Sequence, residues 1–174
     1  MRRLFLLRHA KSDHAPAMRD HDRVLNSRGR EDAPKVGAYM ARHGIRPDRA
    51  VCSTAARARE TWALMAQAFD KPPPVVFEPR LYEASPEPII AVLRTTPATV
   101  HTLIIVAHNP GLHQVANELI ASGDVDARER LREKLPTSAL VGIDHAFDDW
   151  AKLHLQSGRL DRFITPRLLE DATD

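Results

Sequence analysis

The chain has 174 residues and a mass of 19.5 kDa, which suits one domain whose core needs no staples. Its 25 Lys and Arg stand against 23 Asp and Glu, and a net charge of +2 gives no ground for a nucleic-acid or anionic-membrane partner. Cys52 is the lone cysteine, which excludes an internal disulfide and a CxxC zinc site. The opening apolar run, Leu4 to Leu7, stops at Arg8 and is too short for a signal peptide or a membrane span. These features lead us to expect a cytoplasmic protein with one domain over 1–174.

Apolar runs alternate with amphipathic stretches, the pattern of a three-layer α/β/α sandwich around a mixed, mostly parallel sheet. Leu4–Leu7 is continuous and apolar, as a central strand buried on both faces should be. Asn26 or Ser27 caps a helix that runs to Arg42 and stops at Gly44, with Pro34 expected to kink it or shift its start. Ala50–Cys52 reads as the second strand and Ala55–Phe69 as the following helix, striped by Ala58, Trp62, Met65 and Phe69. Three prolines end that helix before a third strand, Val75–Phe77, and a short helix, Pro86–Arg94. Leu103–Val106 is the strongest strand signal, followed by a helix whose apolar face runs from Leu112 to Ile120. The charged stretch Asp124–Lys134 predicts an exposed helix, and Ala139–Ile143 a fifth strand. Alternation over Trp150–Leu155 suggests an edge strand, and Leu168–Asp174 a frayed tail.

Ligand sites in α/β sheets gather beyond the carboxyl ends of the strands. Arg8 and His9 follow the first strand directly; Ser53 follows the second, with Arg57 one turn into the next helix. The fourth strand is followed by His108-Asn109-Pro110-Gly111. Taken singly, each of these is an ordinary loop or helix-surface residue. Three strand ends that each deliver a cation or an imidazole make an anion site, since guanidinium forks match phosphate oxygens.

Those residues carry a resemblance. Arg8-His9-Ala10 resembles the RHG signature of the histidine phosphatase superfamily, the phosphoglycerate mutase-like proteins, with alanine in place of glycine. Ser53-Thr54-Ala55-Ala56-Arg57-Ala58-Arg59-Glu60-Thr61 is similar to the family's S-P-x-x-R-A-x-x-T segment, and His108 to its second histidine. The closer similarity is to the SixA-type phosphohistidine phosphatases. It rests on R-H-A-K, the R-x-L-x-x-x-G-R segment from Arg23 to Arg30, L-Y-x-A-S, V-x-H-N-P-G, Pro136–Ala139 and Phe163–Arg167. The match runs from about Leu4 to Arg167.

The resemblance implies that His9 attacks phosphorus and is transiently phosphorylated, while Arg8, Arg57 and His108 hold the phosphoryl oxygens. It implies no cofactor and no metal. Attack needs a neutral His9 whose other N–H is held by an acceptor such as a backbone carbonyl; the two arginines disfavour imidazolium. Glu83 is the nearest candidate for a general acid, against a solvated loop carboxylate. Lys11 and Ser12 belong either to the phosphate rim or to a solvated loop. Ser53 either bonds phosphate or, the favoured role, caps the helix that carries Arg57. Asn109 either positions His108 or opens the turn before Pro110. A site with no evident acid suits phosphohistidine, whose imidazole leaves with a conjugate-acid pKa of about 6.5, or an aryl phosphate, better than a sugar phosphate. The substrate is then a phosphorylated protein or a small phosphorylated molecule. The alternatives are a phosphomonoesterase of the same superfamily and a phosphohistidine-binding protein without turnover.

Other phosphatase chemistries fit less well. A C-x5-R loop counted from Cys52 lands on Ala58, and neither Asp20-His21-Asp22 nor Asp124-Val125-Asp126 follows a strand, as a D-x-D nucleophile should. The nine histidines form no H-x-H or HExxH pair.

Overall fold

The first strand, β1 (Arg2–Arg8), is apolar from Leu4 to Leu7 because it is covered on both faces. Leu4 and Leu6 enter one core, Phe5 and Leu7 the other. The computed structural model describes residues 1–171. Its seven-stranded sheet has the order β3-β2-β4-β1-β6-β7-β5. The strands are β2 (Arg49–Cys52), β3 (Val75–Phe77), β4 (Thr102–Ala107), β5 (Ile120–Gly123), β6 (Leu140–His145) and β7 (Gly158–Ile164). β6 runs antiparallel to β1 and β7, and the other pairings are parallel, so the sheet is mixed and mostly parallel as expected.

On one face lie α1 (Ser27–Arg42) and α2 (Ala56–Ala66), which bury Val36, Met40, Trp62 and Met65 against Phe5, Leu7 and Ile104. On the other lie α3 (Pro86–Arg94), α4 (Gly111–Leu119) and α5 (Val125–Glu133), packed through Ile89, Leu93, Leu112, Val115 and Leu131. Asn26 caps α1, its side chain accepting the Gly29 N–H at 2.9 Å. Asp124 does the same for α5 through the Ala127 N–H at 2.9 Å.

Several expectations need correction. α1 starts at Ser27 and continues through Pro34, so the proline does not shift its start. α2 spans Ala56–Ala66, shorter than expected at both ends. Ile120 opens β5 and leaves the apolar face of α4, which makes Leu140–His145 the sixth strand rather than the fifth. The alternation at Trp150–Leu155 is not a strand: Trp150–Lys152 is a 3-10 turn, and the Trp150 indole N–H donates to the Val100 carbonyl at 2.7 Å. A bulge hid the real strand, β7. Gly142 pairs with Arg162 but Ile143 with Leu160, so Asp161 is an extra residue that breaks the period of two. Of the tail expected to fray, Leu168–Asp171 is placed in the short helix α6 (Pro166–Asp171). There Leu169 packs against the α1–α2 core and Glu170 meets Arg28 at 2.6 Å. Residues 172–174 lie outside the described residues. Among the described residues, no helix is long and apolar enough to cross a membrane.

Candidate active site

β2, β4 and β1 are adjacent and parallel, so their carboxyl ends share one edge of the sheet. That edge delivers Arg8 and His9 from β1, Ser53 from β2 and His108 from β4, with Arg57 in the first turn of α2. Arg8, His9, Arg57 and His108 line one cleft of about 360 Å³, together with Lys11, Ser12 and Asn109. Arg23, His14 and Thr137 complete the wall, and among the described residues no carboxylate lines it.

His9 Nδ1 lies 2.7 Å from the Ala10 carbonyl. An acceptor there fixes the proton on Nδ1 and leaves the lone pair on Nε2. Burial lowers the His9 pKa to about 4; the charges of Arg57, Arg8 and Arg23 push the same way, and the Ala10 bond opposes them. Desolvation is therefore the first cause of neutrality, ahead of the arginines. Two ties fix the strand end. The Ala10 N–H donates to Thr61 Oγ1 at 2.9 Å, and Thr61 donates to the Arg57 carbonyl at 2.7 Å. The Ser138 N–H bonds the carbonyls of Arg8 and His9, each at 3.1 Å.

The loop after His9 is held by the segment from Arg23 to Arg30. Ser12 bridges Leu25, the Asn26 N–H reaches the Lys11 carbonyl at 3.0 Å, and a Cβ on Gly29 would stand 2.1 Å from that carbonyl. Only glycine lets α1 approach so closely.

The His108 ring is tilted against His9 with centroids 5.1 Å apart. Its Nε2 is 2.7 Å from Ser53 Oγ, which accepts the Ala55 N–H at 3.2 Å. Nδ1, the other ring nitrogen of His108, is buried and has no hydrogen-bond partner among the described residues. Burial, then His9 and Arg57, lowers the His108 pKa to about 3. Ser53 is thus not the cap of α2, whose N-cap position is Ala55 with no side-chain bond. Asn109 Nδ2 and Arg8 Nη1 both donate to the Leu135 carbonyl, at 2.9 and 3.0 Å, which fixes the ends of β4 and β1 together.

Glu83 lies outside the cleft lining. It is exposed, with a left-handed backbone of φ 54°. Asp20, which in the sequence belongs to a D-x-D that follows no strand, sets a carboxylate against Arg57 outside the cleft lining. Its backbone carbonyl and Oδ2 accept from Arg57 at 2.8 and 3.2 Å, and its Oδ1 lies 3.1 Å from Arg23 Nε. The Tyr82 hydroxyl donates to Oδ2 at 2.5 Å. That bond first, and then Arg57, holds the Asp20 carboxyl below its ordinary range. Tyr82 sets its ring edge-on to His108 at 5.6 Å. Desolvation and Asp20 raise its pKa to about 12, so it stays protonated. The Tyr82 signal was present in L-Y-x-A-S, beside the glutamate that drew attention. Burial pushes the Cys52 thiol up to about 12, which removes it as a nucleophile at neutral pH. Among the described residues, no three His, Cys, Asp or Glu side chains are grouped to hold a metal ion.

Residues 4–88 match the model of the histidine phosphatase superfamily (branch 1). The chain is 36% identical to an uncharacterized protein of Mycobacterium leprae, covering 92% of this chain and all of that one. A candidate phosphohistidine phosphatase SixA from Agrobacterium tumefaciens superposes with a TM-score of 0.81 at 30% identity, over 95% of this chain and 98% of that one. Its counterpart from Nakamurella multipartitia gives 0.83 at 29% identity, over 95% and 96%. The fold, the strand-end cleft and these likenesses agree: the chain is a phosphatase that belongs to the histidine phosphatase superfamily.

Proposed function

We propose that this phosphatase hydrolyses phosphohistidine carried on a protein, through a phospho-His9 intermediate and without metal or cofactor. The observation that carries the reading is the pairing of a buried, neutral His9, its Nδ1 proton held by the Ala10 carbonyl, with a cleft whose lining, among the described residues, has cations and no carboxyl group. His9 Nε2 attacks phosphorus as the bond to the substrate imidazole breaks. The leaving ring departs neutral, its proton already on its other nitrogen. Arg8, Arg57 and His108 bear the charge spread over the phosphoryl oxygens, the larger part of phosphoryl-transfer catalysis. Water then attacks phospho-His9, releases inorganic phosphate and restores the imidazole. An alkoxide leaving group would need a proton donor: Asp20 is held ionised, and the Tyr82 hydroxyl, a weak acid with its pKa raised to about 12, already donates to Asp20 Oδ2. The lone cysteine, Cys52, is a free thiol, which supports a reducing compartment such as the cytoplasm.

The test is phosphate release from a phosphohistidine-bearing phosphotransfer protein beside a sugar phosphate, in EDTA, with His9→Ala as the blank. We expect fast release from phosphohistidine and an acid-labile label on His9. Preference for the sugar phosphate would favour a small-molecule phosphomonoesterase. No release above the blank would favour a binding protein, and loss in EDTA would overturn metal independence.

A further inference from the structure

A second cavity, of about 520 Å³, opens beside the catalytic cleft, and Lys11 and Thr137 line both. Besides Arg28 of α1, which is paired with Asp32 and Glu170, three elements supply its cations: Lys11 from the loop after β1, Arg130 and Lys134 from α5 and its end, and Arg167 from α6. Phe163 of β7 gives it an apolar floor, with the Arg130 guanidinium 5.3 Å from the ring centroid.

Charge is not evenly spread over this protein. The two cavities hold eight of the chain's 25 Lys and Arg but only three of its 23 Asp and Glu. One of those three, Asp32, is already bound to Arg28 at 3.0 Å. Among the described residues Lys11, Arg130, Lys134 and Arg167 form no ion pair, while Glu133 and Asp171 stand on the same rim. A nearly neutral chain thus focuses positive potential on one face, around its phosphate site.

We propose that this cavity is the docking subsite for the protein that carries the phosphohistidine, receiving an acidic side chain and an adjacent apolar one from the surface beside the phosphorylated histidine. The inference rests on the function proposed above. A second phosphate on a small molecule would need no aromatic floor; this cavity has Phe163 at its base and, at about 520 Å³, is larger than the catalytic cleft at about 360 Å³. That shape fits a protein surface. The subsite acts on encounter and complex lifetime, where complementary charge has its main effect, and leaves the phosphoryl chemistry to His9 and its neighbours.

The experiment compares wild type with Lys134→Glu/Arg167→Glu, both exposed positions outside the catalytic cleft. The substrates are a histidine-phosphotransfer domain phosphorylated with phosphoramidate, p-nitrophenyl phosphate, and a carboxylate-bearing phosphomonoester, phosphoglycerate. Lys134→Gln/Arg167→Gln serves as a second variant, and thermal melting confirms folding. We expect the charge reversal to lower kcat/KM for the phosphoprotein at least tenfold, through KM, and to leave p-nitrophenyl phosphate within twofold. The neutral variant falls between, and the difference shrinks at high salt. Equal losses on all substrates, or none on the phosphoprotein, overturn the subsite and leave the proposed function standing. A loss confined to phosphoglycerate overturns it in favour of a small-molecule anion site. A wild type inactive on the phosphoprotein overturns both proposals.

Discussion

Asp20 holds Arg57 twice, through its backbone carbonyl at 2.8 Å and its carboxylate at 3.2 Å. The carbonyl contact survives any side-chain change, and the carboxylate contact is half-exposed, so solvent screens it. Asp20 is therefore a positioning residue for the Arg57 fork. Its carboxyl, held below the ordinary range, carries no proton to donate at neutral pH. We expect Asp20→Asn to lower kcat/KM by about tenfold or less, with no change in the alkaline limb of the pH profile. A general acid would cost about a hundredfold or more; a loss of that size would make Asp20 the missing donor.

Arg57 itself leaves less latitude. Two of its nitrogens serve Asp20 while the same planar group faces the cleft, which a point charge on a flexible stem cannot do. Arg57→Lys is expected to lower kcat/KM for p-nitrophenyl phosphate by about a hundredfold, the size of a lost oxyanion donor. Retention of more than a third of wild-type activity would show that charge alone suffices.

The central sheet was legible because β1, β2 and β4 are buried on both faces, and such strands are written as unbroken apolar runs. The convergence of Arg8, Ser53 and His108 followed from one rule about strand ends. β7 was not legible, since the extra residue Asp161 spoils its alternation, and β5 is four residues that continue an apolar helix face. Asp20 and Tyr82 escaped for another reason. They lie 62 positions apart in separate loops, and only the folded chain shows the hydroxyl reaching the carboxylate. Periodicity carries no such information.

Gly29 offers a test of how tightly the nucleophile's loop is seated. A methyl group there meets the Lys11 backbone oxygen at 2.1 Å, and backbone cannot rotate away as a side chain can. We expect Gly29→Ala to destabilise by about 1–3 kcal/mol, the usual scale of overpacking. At about 2–4 °C per kcal/mol for a chain of this size, the melting temperature should fall by several degrees. Activity should fall with it, because Lys11 is two residues from His9. An unchanged melting temperature would mean that the loop yields freely.

Glu83 is exposed and outside the cleft lining, so Glu83→Gln should leave phosphohistidine turnover within twofold of wild type. Its backbone, at φ 54°, is of the kind glycine adopts without strain. Glu83→Gly should accordingly fold at least as stably as wild type, as a melting curve would show. A hundredfold loss of turnover in Glu83→Gln would restore it as the general acid.

The buried histidines set the acid response. Burial lowers His9 to about 4, His108 to about 3 and His145 to about 4, all below the ordinary value of 6.5. Below pH 6.5 the unfolded chain takes up protons that the folded chain refuses, so stability falls as pH drops. The loss develops between about 6.5 and 4, and continues to about 3 for His108. Each histidine contributes at most about 1.4 kcal/mol per pH unit in its window. His145 isolates the effect: it stacks on Phe147 at 4.8 Å, bonds Ser157 Oγ at 3.2 Å, and lies at the amino end of β1, paired with Arg2. His145→Gln removes one such group without touching the cleft. Urea midpoints at pH 7 and pH 5 should converge in this variant relative to wild type, while kcat/KM stays unchanged. An identical pH dependence in the two proteins would show that His145 takes up its proton in the fold as readily as in the unfolded chain.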